Sequence, residues 1–355
     1  MLRFKTDSIL SKAQKNMPLQ LDEAVTLYDA QILHQVGSVA NEISNRLHKK
    51  KAYYVINRHI NPTNICVNRC KFCAYSRSRG QPDAFELTTE EIIQKLKSTN
   101  VDFKEVHIVG GLHPDWKLSQ YLGIVRSVRE HFPYVAIKAY SAVEIDYISR
   151  TSNLDLRDVL LALKDAGLDM LPGGGAEIFN PAVRKQLCPE KISGDRWLEI
   201  MEIAHEVGIP SNATMLYGHI EDIRDRVDHM LKIRNLQEKT GGFKAFIPLA
   251  YHPINTEVGG GYTSGIDDLL TIAISRIVLY NIPHIKAYWI MLGEKIAQTA
   301  LVFGADDLDG TIIEEKITHS AGAQTDESIK EDILRMLIER AGKIPTKRDG
   351  FYNEI

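Results

Sequence analysis

What constrains the fold of this chain most is an alternation. β-Rich apolar runs at residues 53–60, 105–109, 136–140, 170–171, 212–216, 245–249 and 285–290 are separated by stretches with helical spacing, and a weaker run at 301–303 stands as an eighth. Strands that alternate with helices pair in parallel, and this many units close into a barrel. The helical stretches carry their own signals. Thr88 stands as a cap before Glu90 and Glu91, with Ile92, Ile93 and Leu96 at helical spacing behind it. Comparable signals open 155–166, 195–207, 220–240 and 265–280. Ahead of the first strand, Leu21, Ala24, Leu27, Tyr28 and Ile32 are spaced for one buried helical face, and Asp22 and Glu23 suit its start. The expected architecture is α/β: a TIM-type (β/α)8 barrel over 51–310 behind an N-terminal helical segment, 1–50. A short C-terminal extension, 311–355, is expected to pack on the barrel and to carry a helix at 328–340.

In such barrels the active site gathers at the C-terminal ends of the strands. Gly110-Gly111 and the stretches 141–144, 173–175, 217–221 and 251–255 all fall there. The chain is 44% hydrophobic and 25% charged, ordinary for a globular enzyme with a sizeable core. A formal net charge of −3 gives no basic footprint, so nucleic acid is not an expected partner. No apolar run is long enough to cross a bilayer, and residues 1–7 lack the apolar core of a secretion signal. No membrane partner is expected, and the cytoplasm is the expected compartment.

Four cysteines occur in the chain, and three lie together in Cys66-Val-Asn-Arg-Cys70-Lys-Phe-Cys73. Such a run offers three thiolates to one metal site and leaves a fourth position unfilled, as on a [4Fe–4S] cluster with one open iron. A structural zinc site is the competing reading of the residues. It wants four closed ligands, usually as two half-sites, whereas Cys188 is far away and alone and His59 lies on the wrong side of the run. A disulfide scaffold does not suit a long, cysteine-poor chain. Cys188, in Leu187-Cys188-Pro189, reads as a packed thiol at a helix end.

The cysteine loop, with Phe72 just before Cys73, resembles the radical S-adenosylmethionine superfamily. The resemblance implies a radical SAM barrel that uses a [4Fe–4S] cluster held by Cys66, Cys70 and Cys73, together with S-adenosyl-L-methionine. It places Phe72 near the adenine and Tyr75 on the adjacent wall. Gly110 and Gly111 match the place of a motif that takes the methionyl amine, although the glutamate usual there is replaced by Leu112-His113. Glu144 matches a ribose-binding carboxylate, and Gly173 and Gly174 allow close approach of backbone to ligand. Each has a plainer reading beside it: loop packing for Phe72, a surface carboxylate for Glu144, a tight strand-to-helix turn for the glycines.

Longer strings narrow the resemblance. Residues 172–179, 212–221, 241–253 and 309–323 are similar to the aminofutalosine synthase family of the futalosine route to menaquinone. That family implies a transferase in which the 5′-deoxyadenosyl radical adds to the enol ether of 3-[(1-carboxyvinyl)oxy]benzoate and forms 6-amino-6-deoxyfutalosine. A dehypoxanthine futalosine cyclase, whose radical abstracts hydrogen instead, is the alternative; it and the synthase of the deazaflavin cofactor share the cysteine loop and the Pro-Gly-Gly-Gly turn, and 309–323 favours the aminofutalosine synthase family. An electron donor such as flavodoxin or ferredoxin is the implied protein partner. The dianionic acceptor calls for donors at the barrel mouth. Arg77, His113, His252 and His319 are the expected catalytic residues, with His219 and Asn255 as further donors and Glu314 and Glu315 beside His319.

Overall fold

A computed structural model of the chain describes residues 2–98, 101–312 and 315–355. Its centre is a ring of parallel strand positions. β1 (Lys51–Val55) and β2 (Asn57–Ile60) are one strand broken at Ile56. β2 pairs with β3 (Glu105–Ile108), and β3 with β4 (Ala136–Ala139). The next position is reduced to Met170 and Leu171, bridged to Lys138 on one side and Ser211 on the other. β5 (Ser211–Tyr217), β6 (Phe243–Ala250) and β7 (His284–Ile285) follow in order. Lys286 then bridges Asp307 of β8 (Asp307–Gly310), and β8 pairs back onto β1 with Tyr53 opposite Asp307. The ring therefore closes as the alternation predicts.

Local chemistry explains the helices. Thr88 and Glu91 form a reciprocal cap on Thr89–Lys97: the Thr88 hydroxyl accepts from the Glu91 N–H at 3.2 Å, and Glu91 accepts from the Thr88 N–H at 2.7 Å. Asp155 caps Leu156–Asp165 from one side, accepting from the Asp158 N–H at 2.9 Å. Gly241, at φ 64°, ends Ile223–Thr240 in the left-handed region that favours glycine. The helix Gly265–Val278 is buried almost all round because the N-terminal helix Leu33–His48 covers its outer side. Among the described residues no helix is long and apolar enough to cross a membrane.

Several expectations are corrected. The run 301–303 is not a strand but a turn after the helix Glu294–Ala300, apolar because Leu301 is buried. The eighth strand is Asp307–Gly310, disguised by two aspartates that point into a polar interior. The run 285–290 is a strand only to Ile285; Trp289–Leu292 is helical. The single N-terminal helix is broken: Leu21–Thr26 ends, Asp29 caps the turn Ala30–Ile32, and Leu33–His48 begins, while Ala24 and Leu27 are buried as expected. The helices Leu118–His131 and Ala142–Ser152 had no sequence expectation. The expected C-terminal helix is Glu331–Arg340.

After that helix, β9 (Ile344–Lys347) adds to the free side of β1, and the chain turns under the barrel. Gly350 passes so close to the strand starts that a Cβ there would overlap the Cβ of Ala136. Arg348 and Tyr352 reach into the floor. Arg348 pairs with Asp307 at 2.6 Å, and its guanidinium lies 4.2 Å from the centre of the Tyr352 ring. Tyr352 donates to the Asn212 side chain at 2.9 Å.

Candidate active site

Backbone hydrogen bonds hold the cysteine loop from several sides. The Cys66 N–H donates to Arg77 O at 3.1 Å, Val67 to Leu112 O at 3.0 Å and Lys71 to Leu187 O at 2.9 Å. Cys73 closes a turn on Cys70 O at 2.9 Å. Arg77 braces the far end: Nη1 donates to Ala74 O and Ser76 O at 2.8 and 2.9 Å, and Nε to Asp83 at 2.6 Å. All four cysteines are free thiols, Cys70 is buried, and Cys73 lies within electrostatic reach of both Cys66 and Cys70. Burial pushes the Cys66 thiol up and the Cys70 thiol to about 12, against the pull of nearby Lys191. Thiols in so dry a place ionise onto a cation, so this donor set fits a metal cluster.

Lys191 was not anticipated. Glu177, which the sequence suggests as a capping residue near a helix start, pairs with it at 2.5 Å beside the loop, and the Lys191 ammonium sits 4.9 Å from the centre of the Phe72 ring. Cys188 ends the helix Pro181–Leu187 and is 1% exposed, a packed thiol that nonetheless stands within electrostatic reach of Cys70.

The glycines do structural service at the same rim. A Cβ on Gly111 would overlap the carbonyl of Ile65, and one on Gly173, at φ 87°, would overlap that of Asn212. The Gly173 carbonyl accepts from the Thr214 hydroxyl at 2.8 Å and that of Gly174 from Trp197 Nε1 at 3.1 Å. The Gly110 N–H donates to Glu144 Oε1 at 3.3 Å. Glu144 is not a surface carboxylate: it is buried and caps Ala142–Ser152 through Ser141. Burial raises it to about 7 against its hydrogen bonds to Ser141 and Gly110, so near neutrality it both donates and accepts.

The expected donors divide. Tyr75, Arg77 and His319 are brought together around a cavity of about 360 Å³ at the mouth, with Phe85 and Lys316. Tyr75 is buried, with no partner for its hydroxyl among the described residues. His319 Nδ1 is 3.2 Å from Glu315 and Nε2 is 2.8 Å from Thr325 O. The Glu315 hydrogen bond raises its pKa to about 9, so it is a cation at neutral pH. Glu314 lies outside the described residues. His113 does not join this group; its ring stacks on Trp116 at 5.1 Å and its Nε2 is 2.6 Å from Glu86. His252 is tied to Met291 O at 3.0 Å, although it lies within electrostatic reach of Glu315 and His319. His219 turns onto its own loop, 2.8 Å from Glu221, and Asn255 donates to Ser320 O at 3.1 Å.

A ring of parallel strands with three free thiols on the first loop at its C-terminal rim defines a class. The description "Radical SAM superfamily" matches residues 60–233, and "CofH/MqnC C-terminal region" matches residues 240–354. The chain belongs to the radical S-adenosylmethionine superfamily, whose enzymes use a [4Fe–4S] cluster and S-adenosylmethionine. Within it, the chain is 42% identical to the aminodeoxyfutalosine synthase of Thermus thermophilus, over 98% of this chain and 95% of that one. It is 40% identical to the 5-amino-6-(D-ribitylamino)uracil–L-tyrosine 4-hydroxyphenyl transferase of Methanopyrus kandleri, over 91% and 89%. Among solved structures, methylornithine synthase superposes with a TM-score of 0.77 at 18% identity, covering 95% of this chain and 97% of that one, a likeness of fold.

Proposed function

We propose that the chain joins the 5′-deoxyadenosyl part of S-adenosylmethionine to the enol ether of 3-[(1-carboxyvinyl)oxy]benzoate, with methionine and carbon dioxide or bicarbonate released and the electron returned, giving 6-amino-6-deoxyfutalosine for menaquinone synthesis. The observation that carries this reading is the 42% identity to the Thermus thermophilus synthase along 98% of the chain, seconded by 37% identity to that of Streptomyces coelicolor. The cluster and S-adenosylmethionine, when bound, supply a reactive 5′-deoxyadenosyl group. Cys66, Cys70 and Cys73 hold the cluster, and Phe72 and Tyr75 border the adenosyl part. Gly110 and Gly111 offer backbone to the methionyl group, Gly173 and Gly174 shape the opposite rim, and Glu144 meets the ribose. At the mouth a carboxylate of the acceptor finds Lys316, which makes no ion pair among the described residues, and the His319 cation. Arg77 orients the cysteine loop and lines the same wall. His113 and His252 act from outside this cavity, by positioning. Flavodoxin or ferredoxin supplies the electron, in the cytoplasm.

A second reading is favoured by the 40% identity to the Methanopyrus kandleri enzyme: 4-hydroxyphenyl transfer from L-tyrosine to 5-amino-6-(D-ribitylamino)uracil. One experiment separates these. The protein, reconstituted anaerobically with iron and sulfide, is reduced with adenine-labelled S-adenosylmethionine and each acceptor in turn. Label in an adduct with the enol ether is the expected mass-spectrometric result. Free labelled 5′-deoxyadenosine with an unaltered enol ether overturns the reading, and turnover only with tyrosine and the uracil selects the second.

A further inference from the structure

His59 and His107 carry an inference that rests on the reaction proposed above and names how its acceptor is held. They are Cα partners across β2 and β3, and their rings meet at a steep angle with centroids 4.7 Å apart. Both Nε2 atoms are buried without a hydrogen-bond partner among the described residues. A fold gains nothing by burying imidazole nitrogens unpaired. The charged groups around them are already committed. Glu105 pairs with Lys138 at 2.7 Å, Lys286 with Asp309, and Arg348 with Asp307 at 2.6 Å. Glu315 faces His59 from the loop beyond β8 but accepts from Ile317, Thr318 and His319. Three cations thus meet three anions, and among the described residues the donors left unpartnered at this level are the two imidazoles, Arg348 Nη2 and the Asn57 side-chain amide. Burial, with the neighbouring ring as a lesser cause, lowers His107 to about 3, and burial lowers His59, so each is neutral and keeps one N–H to give.

His107 is partly exposed. One residue beyond His59, a cavity of about 190 Å³ is lined by Ile60, Asn61, Leu87 and Lys95, on the side of the helix Thr89–Lys97 and bordering neither imidazole. That cavity shares Phe85 and Lys316 with the one at the mouth. At a strand rise of ~3.3 Å per residue, His107 lies about 10 Å below Gly110, a depth that suits a meta-substituted benzoate. We propose that His59 and His107 are the floor of the substrate pocket and donate N–H bonds to the ring carboxylate of the benzoate acceptor, leaving its vinyl end at the mouth.

The test uses the reconstituted holoenzyme, with the enol ether and its analogue 2-phenoxyacrylate, which lacks the ring carboxylate. His59→Phe and His107→Phe keep a ring in place and remove the donor. We expect each to weaken binding of the enol ether in calorimetry, and to raise its KM, by about 10–100-fold. Binding of 2-phenoxyacrylate should stay within about 2-fold of wild type, and the thermal midpoint of the protein should hold or rise, because an unpaired buried nitrogen has gone. Equal losses for both compounds, or a lowered midpoint with unchanged affinities, overturn the proposal. Should a phenylalanine variant fail to fold, the wild type decides alone: discrimination between the two compounds of less than about 10-fold overturns it. A wild type that forms no adenosyl adduct removes the reaction itself, whereas an adduct without discrimination removes only this pocket floor.

Discussion

The mouth and the floor of the barrel treat buried polar groups in opposite ways. At the mouth the backbone does the holding: amides of Cys66, Val67, Lys71 and Cys73 pin the loop, the thiols are free of disulfides, and among the described residues the Tyr75 hydroxyl has no partner. At the floor the side chains hold one another, with Glu105 on Lys138, Arg348 on Asp307 and Lys286 on Asp309, all sealed by the Tyr352 ring. A group already answered by a neighbour stabilises and does little else. A group held in place through its backbone keeps its chemistry for a ligand. His59 and His107 are interior residues that follow the rule of the mouth.

The comparison can be broken by experiment. The largest effect is expected for Cys70→Ala, at the mouth. Reductive cleavage of S-adenosylmethionine should fall by well over the ~10–100-fold that loss of an outer partner costs a metal site, while the unfolding free energy of the iron-free protein in urea changes by about 1 kcal/mol or less. Substantial residual cleavage would remove Cys70 from the cluster. Arg348→Ala should do the reverse. It leaves Asp307 buried without its cation and takes from Glu105 the more distant of its two, and loss of one partner of a buried pair costs about 3–5 kcal/mol in denaturation; a loss below about 1 kcal/mol would mean that water enters the floor.

The third expectation is an asymmetry with pH. Burial alone would raise Glu105, but Lys138 and Arg348 outweigh it and hold the carboxyl at about 2. A lowered carboxyl contributes fully above its ordinary ~4.3 and loses that contribution as pH falls through about 2. His319, raised to about 9, contributes fully below its ordinary ~6.5 and loses it as pH climbs through about 9. The floor should thus weaken in acid and the mouth in alkali. The alkaline arm is the smaller, about 1 kcal/mol once solvent screening is allowed for, and His319→Gln should abolish it in urea midpoints measured across pH. Persistence of that arm in the variant would break the assignment of the mouth.

The chain alone determined what depends on near neighbours. The run of strands and helices, the caps at Thr88 and Asp155, and the spacing of Cys66, Cys70 and Cys73 are matters of period and short-range hydrogen bonding, and they stand in the sequence as they stand in the fold. Tertiary structure decided what depends on closure. Asp307–Gly310 became the eighth strand because the ring closes there, and its aspartates meet Arg348 and Lys286, one of them far along the chain. Glu144 was expected in the site as a carboxylate, but its burial was not legible; His113 sat in a promising loop and turned toward Glu86 and Trp116. His59 and His107 were written inside two recognised strands, Asn57-Arg-His59 and Glu105-Val-His107, with polar residues at every second place. Which face of a strand looks inward is set by the curvature of the whole sheet, and no stretch of single strand contains that information.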